Sequence, residues 1–383
     1  MIRVDCRISD TLPARIADDV RRRGEGHDQW ILLNQARNLT LSSAHGAFEQ
    51  TSDAFLNHFD LLQVNHTMMK WLSMALAIGA MTCMSTLQTS RAAEPAPHAS
   101  AAAPAIHIED VRRFYEIYDA AHGHPTASQL QHDYLDPGSA GLHRLAELRN
   151  VTGASMAKAI AAHPEIYADA KRCMVVLPAA RLRLKTALGE LARRYPQMRL
   201  APVTVVVGRG KPVGVTDASG VMIGLEALCA VNYLDPNVED RFVHVLAHEY
   251  AHVQQALQSP TFYDDPKPTV LEESLIEGAA EFTAELISGS IGNVDLKAMT
   301  RGREAEIETA FVADEDKTDL SKWLYNGTLT KPGDLGYWVG YRIAKSYYQH
   351  ATDKRRALRD ILEMSDAKAF LAKSGWHPGM TLR

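Results

Sequence analysis

Cysteine is scarce in this chain of 383 residues: there are four, and no CxxC pair, which excludes the thiolate patterns of structural zinc sites. Basic charge is not in excess either. The formal net charge is -5, so no broad positive field offers itself to nucleic acid or to anionic lipid. Internal repeats are lacking, and "GRGK" at 208–211 lacks the length and spacing of a phosphate-binding loop and reads as a turn. Lysine is missing from the first 67 residues, which hold seven arginines and little sustained periodicity beyond a short helical stretch near 55–62. The apolar run that follows Lys70, residues 71–84, is 14 residues long. A bilayer-spanning helix needs ~20, so the run does not span.

What the run does fit is the hydrophobic core of a secretory signal peptide, with one lysine before it and small residues at Ser90 and Ala92 for cleavage. The sequence therefore predicts translation from Met68 or Met69, a signal peptide over 68–92, and residues 1–67 as upstream sequence. The protein is expected to be exported, periplasmic or secreted, with no integral membrane span in the mature chain. Residues 1–92 carry basic and acidic side chains in equal number, so their loss leaves the net charge at -5. Cys173 and Cys229 remain; they either pair, as export permits, or sit as small buried hydrophobes.

A Pro/Ala/Ser-rich linker is expected over 93–108, then one domain over 109–383 with a helical part (109–200) and a second part (201–350) that holds the candidate site described below. Helical spacing of apolar residues recurs from 110 to 194. Alternating valines at 203, 205 and 207 mark a strand, and "GVMIGLEAL" at 220–228 a partner. Asp235-Pro236 reads as the cap and first residue of the next helix. The fold class is α+β, mostly helical, with a small β-sheet beside that helix.

The helix over 237–257 is apolar on nearly every face, yet it carries His248, Glu249 and His252. Burying these groups costs free energy unless they find partners. His248 and His252, four apart, project from one face, and Glu249 lies about 100° round from His248, within reach of a water held between the rings. This is HExxH, the zinc-peptidase arrangement. His244 lies one turn earlier but about 12 Å along the axis from His252, too far to share an ion, so it reads as a neighbouring support. A catalytic zinc takes a third protein ligand. The segment "LEESLIEGAAEFTAELISG" offers Glu273, Glu277 and Glu281 on one helix face, opposite Leu271, Leu275, Phe282 and Leu286. No lysine on that helix relieves their mutual repulsion, which a nearby cation would offset.

HExxH followed by "ESLIEGAAE" resembles the gluzincin clan of zinc peptidases. The whole chain over about 128–350 is similar to a bacterial family of predicted zinc-dependent proteases catalogued as a domain of unknown function, through "QHDYLDPGSAGLHRL", "GVMIGLEAL", "HEYAHVQQ", "LIEGAAEF" and "GYWVGYRIAKSYY". The resemblance implies Zn2+ as cofactor, His248, His252 and Glu277 as ligands, Glu249 as general base and a peptide or protein as substrate. It places Glu281 where gluzincins keep an acidic residue supporting the first histidine, although that residue is an aspartate in thermolysin-like enzymes. It also implies a tyrosine that stabilises the oxyanion, here Tyr341 with Tyr337 in reserve, and an edge strand that pairs with substrate, here expected over 220–228. Arg342 is open to two readings, a substrate-carboxylate contact or an exposed charge. A non-catalytic zinc- or peptide-binding protein of the same fold is the alternative. Oligomeric state is not legible.

Overall fold

The computed structural model describes residues 104–382, apart from 211–213, 232–233, 291, 293 and 328–332. The expected signal peptide and upstream segment lie outside these residues. Most of the described chain is helical, around one small sheet, as the α+β reading required. In chain order the first elements are β1 (Ile106–His107), α1 (Glu109–Ala120), α2 (Ala127–Gln129, continued by a π-turn over Leu130–Leu135), α3 (Ala140–Arg149), α4 (Gly153–Ala162), α5 (Pro164–Cys173) and α6 (Leu177–Arg194). Then come β2 (Val203–Val206), β3 (Gly214–Asp217), β4 (Gly220–Gly224), α7 (Leu225–Ala230), α8 (Val238–Gln258), α9 (Pro260–Tyr263) and α10 (Val270–Ser288). The chain closes with α11 (Val294–Thr300), α12 (Glu304–Val312), α13 (Leu335–His350), α14 (Lys354–Leu362) and α15 (Ala367–Lys373).

The sheet order is β1-β2-β4-β3, with β1, β2 and β4 parallel and β3 antiparallel to β4. Two sequence expectations are corrected here. Ile106 and His107 pair with Val203 and Thr204, so the linker ends before residue 108. And 220–224 is an interior strand, bonded on both sides; the edge beside α8 is β3, too short and too polar at Thr216 and Asp217 to stand out by alternation.

The parts read over 109–200 and 201–350 share a core. One apolar core runs from Ile106 through α1 and α6, the sheet and α8 to Leu362, and a second packs α10 against α12, α13 and α15. Cys173 at the end of α5 and Cys229 in α7 form a disulfide, Cα to Cα 6.4 Å, which answers the open question about their pairing.

Two helices matter most. α8 starts at Asn237, whose side chain accepts the Asp240 N–H; Asp235, expected as the cap, instead accepts the Asn237 N–H through Oδ1. α10 starts at a capping box, Thr269 with Glu272, and stops at Gly289 in the left-handed region (φ 73°). α10 crosses α13 at two glycines. A Cβ on Gly278 would stand 2.1 Å from the Gly340 carbonyl carbon, and one on Gly340 would stand 1.7 Å from the Ser274 carbonyl oxygen. The glycine in the Glu-Gly segment is thus what lets α13 lie on the helix that carries Glu277.

Candidate metal centre

α8 and α10 pack side by side, and their polar faces meet. His248 Nε2 and His252 Nε2 lie 2.9 Å apart. Glu277 Oε2 lies 3.2 Å from the first and 3.1 Å from the second. All three side chains are buried. Donors held tetrahedrally at ~2.0–2.1 Å from zinc stand about 3.3 Å from one another, so this triangle has nearly the size that a shared ion demands. Two ring nitrogens facing each other inside a protein repel unless a cation or proton lies between them, and the donor set of two imidazoles and one carboxylate is a zinc set. The residues fit the metal.

Each candidate ligand has a partner behind it. His252 donates through Nδ1 to Gln255 Oε1 at 2.7 Å, and Gln255 in turn donates to the Ile276 carbonyl on α10 at 2.9 Å. His248 Nδ1 lies 3.1 Å from Glu281 Oε1, within ion-pair distance but not aligned as a hydrogen bond. Glu277 Oε1 accepts the Tyr325 hydroxyl at 3.1 Å, and the same hydroxyl contacts Glu273. Supporting partners of this kind fix the tautomer and the ring orientation. For His248, burial alone would lower the pKa; Glu277 and Glu281 outweigh it and raise it well above the ordinary value. For Glu277, burial would raise the pKa, but the two imidazoles hold the carboxyl well below the carboxylate range. The pocket therefore favours positive charge among its carboxylates, which suits a divalent cation.

Glu249 sits beside this cluster and, unlike the ligands, is partly exposed. Its Oε2 accepts the Thr216 hydroxyl from edge strand β3. A Cβ at Gly214 would come 3.4 Å from Oε1, so the backbone of β3 passes close to the carboxylate.

The aromatic residues divide. The Tyr337 ring lies parallel to His248, centroids 6.2 Å apart. Burial, and then the charge of Glu277, push its hydroxyl pKa well above 10, so it stays a proton donor. The structure does not bring the Tyr341 hydroxyl to the cluster: it donates to Glu285 and accepts from Lys345. Tyr341 lies on the same face of α13 but one turn, about 6 Å, further along the axis, where it meets Glu285 instead of His248. Arg342 is neither exposed nor free for substrate; it is buried in an ion pair with Glu308 and donates to the Met380 carbonyl.

Residues 219–370 match a family described as "Predicted Zn-dependent protease (DUF2268)". The matched stretch holds α8, α10 and α13, and so every ligand of the cluster together with Glu249 and Tyr337, in agreement with the resemblance read from the sequence. No match was found among curated proteins or among solved structures.

Thr216, Gln255 and Tyr325 were missed by sequence reasoning. Gln255 carried a local signal, three residues after His252 and hence on its face. Thr216 and Tyr325 come from β3 and from the loop before α13, and nothing in the sequence ties either to the metal helices.

Proposed function

We propose that this protein is a zinc-dependent peptidase that hydrolyses peptide bonds with Glu249 as general base. The observation that carries the reading is the convergence of His248, His252 and Glu277 from two helices, with an unliganded, partly exposed glutamate next to the first histidine. Zinc held there supplies a Lewis acid that lowers the pKa of a bound water and polarises the scissile carbonyl. Glu249 takes the proton of the attacking water and passes it to the leaving amine nitrogen. Thr216 holds the carboxylate towards that work by donating to one of its oxygens. Tyr337, in place of Tyr341, donates to the carbonyl oxygen as negative charge develops on it. The outer side of β3, unpaired among the described strands, receives an extended substrate by strand addition and delivers it beside Glu249.

Export is part of the proposal. It rests on the signal-like segment and on the Cys173–Cys229 disulfide, which suits an oxidising compartment. Among the described residues no helix is long and apolar enough to cross a membrane.

The test is a pair of variants assayed on a peptide library with and without chelator. Glu249→Gln keeps zinc and loses hydrolysis by about 10³-fold or more, within the range that general-base and electrostatic contributions span. His248→Ala loses both zinc and activity. A wild-type protein that holds zinc and a peptide but never cuts it is a binding protein and ends the enzymatic reading.

A further inference from the structure

His244 is not a ligand, yet it is the most deeply buried histidine of the site, with a side chain 2% exposed. Both of its nitrogens are engaged. Nδ1 lies 2.9 Å from the Ser290 carbonyl oxygen, and Nε2 lies 2.9 Å from Glu281 Oε2, the oxygen to which a proton on Nε2 is donated. The other oxygen of Glu281, Oε1, lies 3.1 Å from His248 Nδ1. One carboxylate from α10 thus spans two histidines that stand one turn apart on α8. The backbone at Gly292 closes over this pair: a Cβ there would stand 2.3 Å from His244 Nε2 and 2.5 Å from Glu281 Oε2.

A buried imidazole and carboxylate are costly unless each is fully satisfied, and an arrangement that satisfies them only in one orientation also fixes that orientation. A neutral imidazole has one N–H and one lone pair. Glu281 Oε1, 3.1 Å from His248 Nδ1 though not aligned with it as a hydrogen bond, favours a proton on that nitrogen, which leaves the lone pair on Nε2, the nitrogen that faces Glu277 and His252.

We infer that His244 is a positioning residue for the metal ligand His248: it holds the carboxylate of Glu281 in the one pose that keeps His248 protonated on Nδ1 and bound to zinc through Nε2. The inference rests on the zinc-site reading above and deepens it. His244, His248 and Glu281 also lie near enough together to hold a cation of their own. The relay is favoured because His248 has a single lone pair, and the ring nitrogen nearest Glu277 and His252 claims it.

The experiment uses the full zinc-loaded chain. Zinc affinity is measured by competition with a chromophoric chelator for wild type, His244→Phe and His244→Gln, with the fold followed by circular dichroism. The Phe variant fills the space without a donor, and zinc binding weakens 10- to 100-fold, the range known for lost supporting partners. The Gln variant can still donate to Glu281 and recovers most of that loss. In wild type, ring-nitrogen NMR shows His248 coordinated through Nε2 with a proton on Nδ1, a measurement that decides the matter even if the Phe variant does not fold. Unchanged zinc affinity in a folded Phe variant, coordination of His248 through Nδ1, or two zinc ions per chain overturns the inference. Zinc bound without peptidase activity sinks the enzymatic reading and leaves this one standing; a wild type that binds no zinc sinks both.

Discussion

At the scale of single residues, the site was legible where its chemistry is local and illegible where it depends on the fold. His248, Glu249 and His252 share one helical turn, so spacing alone placed them. Glu277 needed the acidic face of a second helix and the resemblance of its Glu-Gly segment; the structure puts its Oε2 within 3.2 Å of both imidazoles. The structure sets Tyr337, not Tyr341, beside His248, a distinction that helical spacing of four cannot make until the helix crossing is known. The two tyrosines now differ in a measurable way. Tyr337→Phe should lower kcat by about 10²-fold with zinc content unchanged, the size of one lost oxyanion donor. Tyr341→Phe should leave kcat within about twofold, since an oxyanion donor that far from the reacting carbonyl contributes little. Peptide hydrolysis assays on the two variants check this, and the reverse pattern would restore Tyr341.

At the scale of elements, the sequence reading found the helices and the interior strands from their periodicity and mistook the edge. β3 has four residues and one fully buried valine, too little for a period to show. After β2, the backbone at Gly208 and Gly210 is held by a buried acid that no motif announced. Glu226, at the start of α7, is almost fully buried; its Oε1 accepts the N–H groups of Gly208 and Gly210, each at 2.9 Å, while its Oε2 has no hydrogen-bond partner among the described residues. Burial raises its pKa above the ordinary 4.5, the two backbone donors opposing that shift without cancelling it. A carboxyl whose folded pKa is raised favours folding below pH 4.5, and that contribution is lost as the pH rises through the raised value. Glu226→Gln keeps the accepting oxygen and removes the charge. Its melting temperature should therefore exceed that of wild type at pH 8 and lose the advantage near pH 4, which a set of thermal melts across that range would show. An advantage of equal size at both pH values would contradict the assignment. The helix crossing gives a second prediction at this scale. Gly278→Ala puts a methyl group 2.1 Å from backbone that cannot swing away, so α13 must shift. The expected cost is about 1–3 kcal/mol, as for overpacked cores, read by denaturant unfolding, together with weakened zinc binding because Glu277 is the preceding residue. A stable variant with unchanged zinc affinity would mean that the two helices do not meet there.

At the scale of the whole molecule, the α+β class, mostly helical with a small sheet, followed from the alternation of helical and strand periods. The strand Val203–Val206 and the helix Leu177–Arg194 bury their apolar faces in one core that also receives α8, so the parts read over 109–200 and 201–350 share that core. Only the assembled molecule brings α8 and α10 together, so a cation held by the proposed site would bind the folded chain in preference to the unfolded one and stabilise it. The most direct measurement is zinc K-edge X-ray absorption on the purified wild-type chain after exhaustive dialysis. The predicted result is one zinc per chain, with a first shell of nitrogen and oxygen at ~2.0–2.1 Å that includes two imidazoles and no sulfur. A chain that retains no zinc, or a shell with one imidazole or three, would contradict the convergence of His248, His252 and Glu277 on a single ion.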